Sequence, residues 1–343
     1  FSLGVSDYKF IDQTTNFYEQ GIKYLIFGNI LKNNTYPLSV SAERVFQAMA
    51  LAHLALEMKV DAIAHGSTGA GNDQIRFDLI FQTICPSIEI ITPIRDLALS
   101  REEEITYLQS HGVKGLWEKS LYSINKGLWG TSIGGKETLT SHGVLPEEAF
   151  PNQLQNTHYE VVKIKFENGE PVGLNGSIMR PIEVIKRLNE LGGKFAIGRD
   201  VHVGDTIIGI KGRVGFEAAG PLMLIKGHHL LEKHTLSKQQ LFIKDQIAAF
   251  YGSLMHEGQY LDPVMRDIEA FFSSSQKNVT GTVEIGLAPY RYELLSIQSD
   301  FDLMQSDVAM YGEINKGWSA AEVKGFTKIF SNQTKLYYGL KDE

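Results

Sequence analysis

Seven consecutive residues, Gly66-Ser67-Thr68-Gly69-Ala70-Gly71-Asn72, set three glycines and a threonine between a short apolar run and a helical pattern. Glycines let backbone N–H groups come close to a phosphate or carboxylate. A helix opening near Asp73 would aim its positive end at the same place. The spacing from Gly66 to Gly71 matches the start of a P-loop, but Asn72-Asp73 stand where Lys and Ser/Thr are required. That argues against a Walker-type NTPase. A tight strand-to-helix turn would use the same glycines, so the loop alone leaves both readings open. Asn72, Asp73 and Arg76 follow in the loop end and the first helical turn. Three residues apart, Asp73 and Arg76 share a helix face, which then offers an amide, a carboxylate and a guanidinium. That set suits an amino-acid zwitterion or a ureido group better than a metal. An N-capping Asp with a surface ion pair is the bland alternative.

Other candidates are weaker. Ser123 and Ser132 flank a Gly- and Trp-containing segment that is no plain helix, and hydroxyls in loops are usually turn formers. His228, His229 and His234 lack the carboxylate or Cys partners of a metal site, so surface or interface histidines are expected. The single cysteine, Cys85, follows the apolar run 79–84 and reads as a buried, inert thiol. One cysteine also excludes a disulfide framework and a Cys-based zinc cluster. No Ser-His-Asp or Cys-His signature is readable, so nucleophilic catalysis has no positive support.

The elements that must position these residues alternate helix and strand in the first third. Ser41 is expected to cap a helix to about Met58, with Val45, Met49, Ala52 and Leu56 on one stripe. Residues 60–65 read as a strand running into the glycine loop, then a helix from Asp73 to Thr83, a strand over 88–92, and a helix opened by the Ser100/Glu103 capping box and stopped by Gly112. This is the layout of a parallel sheet with crossover helices, whose ligands sit beyond the carboxyl ends of the strands. Further on, residues 127–135 show little periodicity. Strands are expected over 158–166 and 171–175 around the Asn168-Gly169 turn, over 206–211 and 222–226, and in a second hairpin over 282–287 and 290–297. Helices are expected over 181–191 (ending at Gly192-Gly193), 237–256, from Asp262-Pro263 to 274, and over 320–329.

Composition sets the limits. The chain has 343 residues, 33 Lys+Arg against 40 Asp+Glu, a net charge of -7, 43% hydrophobic and 21% charged residues. That suits about two globular domains and excludes a disordered chain. No apolar run reaches a spanning length of roughly 18 residues. Without basic blocks, nucleic acid is a poor partner. No signal peptide is visible, so a cytoplasmic location is the default expectation.

His65-Gly66-Ser67-Thr68-Gly69-Ala70-Gly71-Asn72-Asp73-Gln74-Ile75-Arg76-Phe77 resembles the argininosuccinate synthase signature His-Gly-x-Thr-Gly-Lys-Gly-Asn-Asp-Gln-Val-Arg-Phe. Tyr36-Pro-Leu-Ser-Val-Ser41 with Arg44, and Tyr122-Ser123 through Leu128 with Ser132, resemble two further motifs of that family. The likeness runs over essentially the whole chain. It implies an α/β fold: an adenine-nucleotide α-hydrolase-like parallel sheet over residues 1–115, incomplete at its N-terminus. An α+β synthetase domain over 116–319 and a C-terminal oligomerisation tail over 320–343 would follow. It implies an AMP-forming carbon–nitrogen ligase of arginine biosynthesis, using ATP with Mg2+ and working as a homotetramer. The ureido oxygen of citrulline would attack the α-phosphate, and the amine of aspartate would then displace AMP. No protein nucleophile is needed; positioning supplies most of the catalysis. By the same resemblance, Tyr36, Ser41, Asn72, Arg76, Ser123 and Ser132 would hold citrulline; Thr68, Asn72 and Asp73, aspartate; Gly66, Thr68, Gly69 and Gly71, the nucleotide.

The chain also departs from the family. Its Ser-Gly-Gly-Leu-Asp-Thr-Ser pyrophosphate loop has no counterpart here; Phe1-Ser2 could be its start, and a chain without it is expected to lack the main triphosphate grip. Ala70 replaces a Lys, Asn125 an Asp, Gly204 a citrulline-contacting Glu and Phe216 a citrulline-contacting Tyr; Asp205 could supply an acid from the next position. Two other expectations therefore stand beside the ligase: a non-catalytic amino-acid-binding or oligomerising module of the same fold, and another ATP-pyrophosphatase ligase with a different acceptor.

Overall fold

The computed structural model describes residues 3–115, 121–305, 311 and 317–340; the readings that fall on Phe1-Ser2 and on 341–343 lie outside it. The chain divides into two bodies, Phe1–Asp300 and Phe301–Glu343.

In the first body, α1 (Thr14–Phe17), a π turn (Tyr18–Ile22) and α2 (Lys23–Phe27) run on without a break and bury Phe17, Tyr18, Ile22, Leu25, Ile26 and Phe27. Then come α3 (Ser39–Met58), β1 (Ala62–Ala64), α4 (Asp73–Ile84), β2 (Glu89–Ile91), α5 (Pro93–Asp96) and α6 (Arg101–Ser110). β1 and β2 pair in parallel, Ala62 opposite Glu89 and Ala64 opposite Ile91, with the glycine loop and α4 as their crossover. The expected parallel βαβ unit is therefore present, with both strands shorter than their apolar runs. The Ser100/Glu103 capping box forms as read.

The chain continues through β3 (Ser123–Gly127), β4 (Gly130–Gly134), β5 (Glu160–Glu167), β6 (Glu170–Leu174), β7 (Ser177–Ile178), α7 (Pro181–Lys194), β8 (Arg199–Asp205) and β9 (Lys211–Glu217). It then forms α8 (Ala219–Thr235), α9 (Lys238–His256), α10 (Pro263–Ser275), β10 (Gly281–Ala288) and β11 (Arg291–Gln298). Two antiparallel sheets result, ordered β11-β10-β5-β6-β7 and β3-β4-β9-β8. Asn168 and Gly169 both take positive φ, 48° and 80°, as a two-residue hairpin turn of this type requires. Among the fully buried large side chains are Trp129, Phe46, Phe81, Phe166, Phe216, Tyr251 and Phe272.

Five local readings are corrected. Residues 127–135, read as aperiodic, belong to the β3–β4 hairpin; Gly130, at φ 116°, supplies the turn. Of the expected strand 206–211, residues 206–210 are instead the turn between β8 and β9, closed by Thr206 and the Ile210 carbonyl, and only Lys211 lies in a strand, opening β9. Residues 222–226 are helical in α8, a buried apolar run where period cannot separate helix from strand. α7 passes through Gly192-Gly193 to Lys194; a Cβ at Gly192 would fall 2.5 Å from the Ala219 Cβ and one at Gly193 would crowd Asn152 at 3.0 Å, so this pair serves close packing rather than a helix stop. Ser41 does not cap α3; the helix opens at Ser39 after Leu38, and Ser41 lies in its first turn.

Histidine 228 is not at the surface. It is fully buried, with Nδ1 2.7 Å from Asn29 Oδ1 and Nε2 2.8 Å from Gln276 Oε1. Beside it, Lys244 Nζ donates to Glu232 Oε2 at 2.8 Å, both residues fully buried. Burial pushes His228 down to about 4.

The second body holds α11 (Ala320–Phe330), capped by Ser319 with Glu322, and α12 (Asn332–Gly339). Its apolar residues Phe326, Ile329, Phe330, Leu336 and Leu340 are all exposed.

Candidate active site

The segment Tyr36–Ser41 is shaped by its own side chains. Leu38 takes φ 61°, a left-handed conformation rarely adopted by a branched residue, and is fully buried. The turn is fastened by Trp129, whose indole N–H donates to the Pro37 carbonyl at 2.8 Å. Tyr36 Oη accepts from Val40 N–H and from the Ser39 hydroxyl, both at 3.2 Å, so its own proton remains to be donated. Ser41, one turn into α3, is 3% exposed and its Oγ has no partner.

The glycine loop leaves β1 and enters α4. Neither packing nor conformation demands its glycines: Gly66, Gly69 and Gly71 avoid positive φ, and a Cβ on each would meet nothing closer than 3.7 Å. This tips the balance between turn and ligand loop toward close approach by a ligand. The loop is held from behind. His65 Nε2 lies 2.9 Å from Asp78 Oδ1, Arg95 Nη1 donates to Asp78 Oδ2 at 2.7 Å, and Gln74 Nε2 donates to the Gly69 carbonyl. Asn72 Oδ1 accepts from the Ile207 N–H at 2.9 Å, tying the loop to the β8–β9 turn and leaving its amide N–H groups for a ligand.

Asp73 and Arg76 do share a face, joined at 2.8 Å from Arg76 Nη1 to Asp73 Oδ1. The pair is part of a larger array. Arg44 Nε donates to Asp73 Oδ2 at 3.1 Å and Arg44 Nη2 to Asn125 Oδ1 at 3.2 Å. Arg76 is 4% exposed; its Nε donates to the His256 carbonyl at 2.8 Å and its Nη2 lies 3.4 Å from His256 Nδ1. Burial lowers the Arg76 pKa and Asp73 opposes that fall. Burial, then Arg76, Lys32 and His202, push His256 down to about 3, so its ring is neutral and its Nδ1 accepts from Arg76.

These elements enclose one cavity of about 780 Å³. Tyr36, Ser41, Gly66, Thr68, Gly71, Asn72, Asp73, Arg76 and Ser132 line it together. Two expected residues do not. Gly69 turns its carbonyl to Gln74, and Ser123 lies at the far end of β3, opposite Gly134. Strand alternation still puts Ser123 on the face of Asn125, which lines the cavity opposite Ser132. Phe216 is fully buried behind Tyr36, with ring centroids 5.4 Å apart, and adds no polar group. Asp205 lines the cavity but is paired with Lys211 at 2.6 Å, which holds its carboxyl below the usual range.

Arg44 was legible only within a motif, and His202, Arg213 and His256 were missed altogether, although all four line the cavity. Their positions are set by pairing between distant segments, and no local spacing announces them. Cys85 is buried away from this cavity, its thiol pushed up by burial.

Residues 2–114 match the family model described as the arginosuccinate synthase N-terminal HUP domain, and residues 122–337 match that of the arginosuccinate synthase C-terminal domain. Argininosuccinate synthase of Methanocaldococcus jannaschii is 36% identical over 338 residues, covering 98% of this chain and 85% of the relative. That of Dictyoglomus thermophilum is 33% identical over the same length, with the same coverage. That of Prochlorococcus marinus is 36% identical over 328 residues, covering 88% of this chain and 80% of the relative.

Proposed function

The chain belongs to the argininosuccinate synthase family, ATP-dependent ligases that join citrulline and aspartate in arginine biosynthesis, and from that premise we propose how this cavity carries out the reaction. The citrulline ureido oxygen attacks the α-phosphorus of ATP and pyrophosphate leaves. The aspartate amine then attacks the ureido carbon of the citrullyl-adenylate, and AMP leaves with the former ureido oxygen. Arg76, Ser41, Tyr36, Asn72 and Ser132, with Ser123 at the outer end of the same strand face, hold citrulline. Thr68, Asn72 and Asp73 hold aspartate, and the 66–71 loop meets the nucleotide. Catalysis is by alignment of three substrates, with the α4 N-terminus and the loop N–H groups facing developing phosphate charge.

The observation that supports this reading is the convergence of an anion-accepting loop, a buried guanidinium with spare donors and an unpartnered serine on one cavity. Mg2+ arrives with the ATP phosphates as part of the substrate. That is its usual mode of binding. The reading includes residues 1–115 as the nucleotide-binding domain, 116–319 as the synthetase domain and 320–343 as a tail that docks on another subunit of a homotetramer. Exposed Phe326, Ile329, Phe330, Leu336 and Leu340 support that last element. It also places the enzyme in the cytoplasm, alongside the observation that no helix among the described residues is long and apolar enough to cross a membrane.

The test is isotopic. Citrulline labelled with 18O in the ureido group should deliver the label to AMP. Product formation with AMP left unlabelled would overturn the adenylate route.

A further inference from the structure

The wall of the cavity facing Tyr36 carries a residue whose chemistry is unspent. His202, on β8, is 6% exposed, and its Nδ1 has no hydrogen-bond partner. Its ring stacks on Tyr36 at 5.1 Å with planes 25° apart and stands edge-on to His256 at 6.2 Å. The ring is therefore clamped, with its polar atom unsatisfied. A buried ring nitrogen left without a partner is costly, and such atoms recur where a ligand supplies the missing partner. Ser41 Oγ is a second such atom lining the same cavity.

The neighbourhood selects the ligand group. Lys32 and Arg76 supply positive charge here; burial and Lys32 lower the His202 pKa, and the adjacent His256 is neutral. Of the five N–H groups of Arg76, three are spent on Asp73 and His256, leaving one on each terminal nitrogen. An ammonium would be repelled at this end, whereas a carboxylate would be forked by Arg76. Space has been cleared for the imidazole: a Cβ at Gly204 would lie 2.7 Å from His202 Nε2, so a side chain there would displace the ring.

We propose that His202 is a substrate-contacting, specificity-determining residue whose Nδ1–H donates to the same amino-acid carboxylate that Arg76 forks. This rests on citrulline being the ligand of this end of the cavity. His202→Phe keeps a flat ring on Tyr36 and removes the donor; His202→Asn returns an amide N–H near the position of Nδ1. Titration calorimetry with citrulline, on the full-length protein, should show roughly ten- to a hundredfold weaker binding for His202→Phe, the loss expected for one hydrogen bond to a charged group. His202→Asn should recover most of that loss. In turnover the citrulline KM should rise while the aspartate KM stays within about twofold. Gly204→Ala, which crowds Nε2, should weaken citrulline binding in the same direction. Wild-type affinity in His202→Phe would overturn the assignment. So would a loss in both His202 variants that tracks a lowered melting temperature, since that marks packing alone. Wild-type protein that binds no citrulline would overturn the functional reading itself, and this inference with it.

Discussion

Replacing Arg76 by lysine keeps the charge and removes the fork. In the structure the guanidinium spends Nε on the His256 carbonyl and Nη1 on Asp73, both at 2.8 Å, and lies 3.4 Å from His256 Nδ1. An ammonium on a shorter stem cannot keep those contacts and also reach a ligand carboxylate with two parallel donors. Losing one charge-assisted bond to the ligand costs about 1.5–3 kcal/mol, or roughly ten- to a hundredfold in affinity. Arg76→Lys should therefore raise the citrulline KM by about that factor and the aspartate KM much less. Leaving the buried His256 carbonyl short of a donor should also cost about 1–3 kcal/mol of stability, seen as a lower melting temperature. Steady-state kinetics with each substrate varied in turn, beside a thermal melt, separates the two effects. Equal rises in both KM values, or neither, would remove Arg76 from the citrulline site. A melting temperature that falls while both KM values hold would mark a purely structural ion pair.

Three other outcomes follow from the same structure. Glu232→Gln should destabilise the protein by about 3–5 kcal/mol in chemical denaturation, because it strands the fully buried Lys244 ammonium, whereas the double change with Lys244→Met should recover much of that loss. His228 and His256 are held near 4 and 3 in the folded protein, below the 6.5 of a free imidazole. Between those values the unfolded chain binds more protons, so stability should fall as pH drops from about 6.5 toward 4, and His228→Gln should flatten that fall in melts at stepped pH. Deleting residues 326–343 should lower the assembly state measured by light scattering; an unchanged solution mass would remove the tail from the interface.

Much of the fold was legible where a local rule decides it. The Ser100, Ser237 and Asp262 helix starts, the Asn168-Gly169 turn and the strand–loop–helix around Gly66 all rest on short-range chemistry. The reading failed where tertiary packing overrides such rules. Gly192-Gly193 lie inside a helix, where they serve close packing against Ala219 and Asn152 rather than a stop, and residues 222–226 are helical in an α8 that is buried almost all round. The resemblance alone placed Ser41 at the ligand site, and the separate local reading of it as a cap fails: it is an unpartnered hydroxyl inside the first turn of α3. The long motif supplied the loop residues. His202, Arg213 and His256 reach the cavity from segments more than 120 residues beyond it, and only the assembled β8–β9 pair and the end of α9 bring them there.

The central claim, ligation of citrulline to aspartate at the expense of ATP, is tested most directly by pyrophosphate release from the full-length gene product under steady-state turnover. Sustained release of pyrophosphate and AMP in equal amounts, only when citrulline and aspartate are both present, is the predicted result. Citrulline binding without any release would instead identify a non-catalytic amino-acid-binding module. Release driven by a different acceptor, with citrulline inert, would assign the cavity to another ligase.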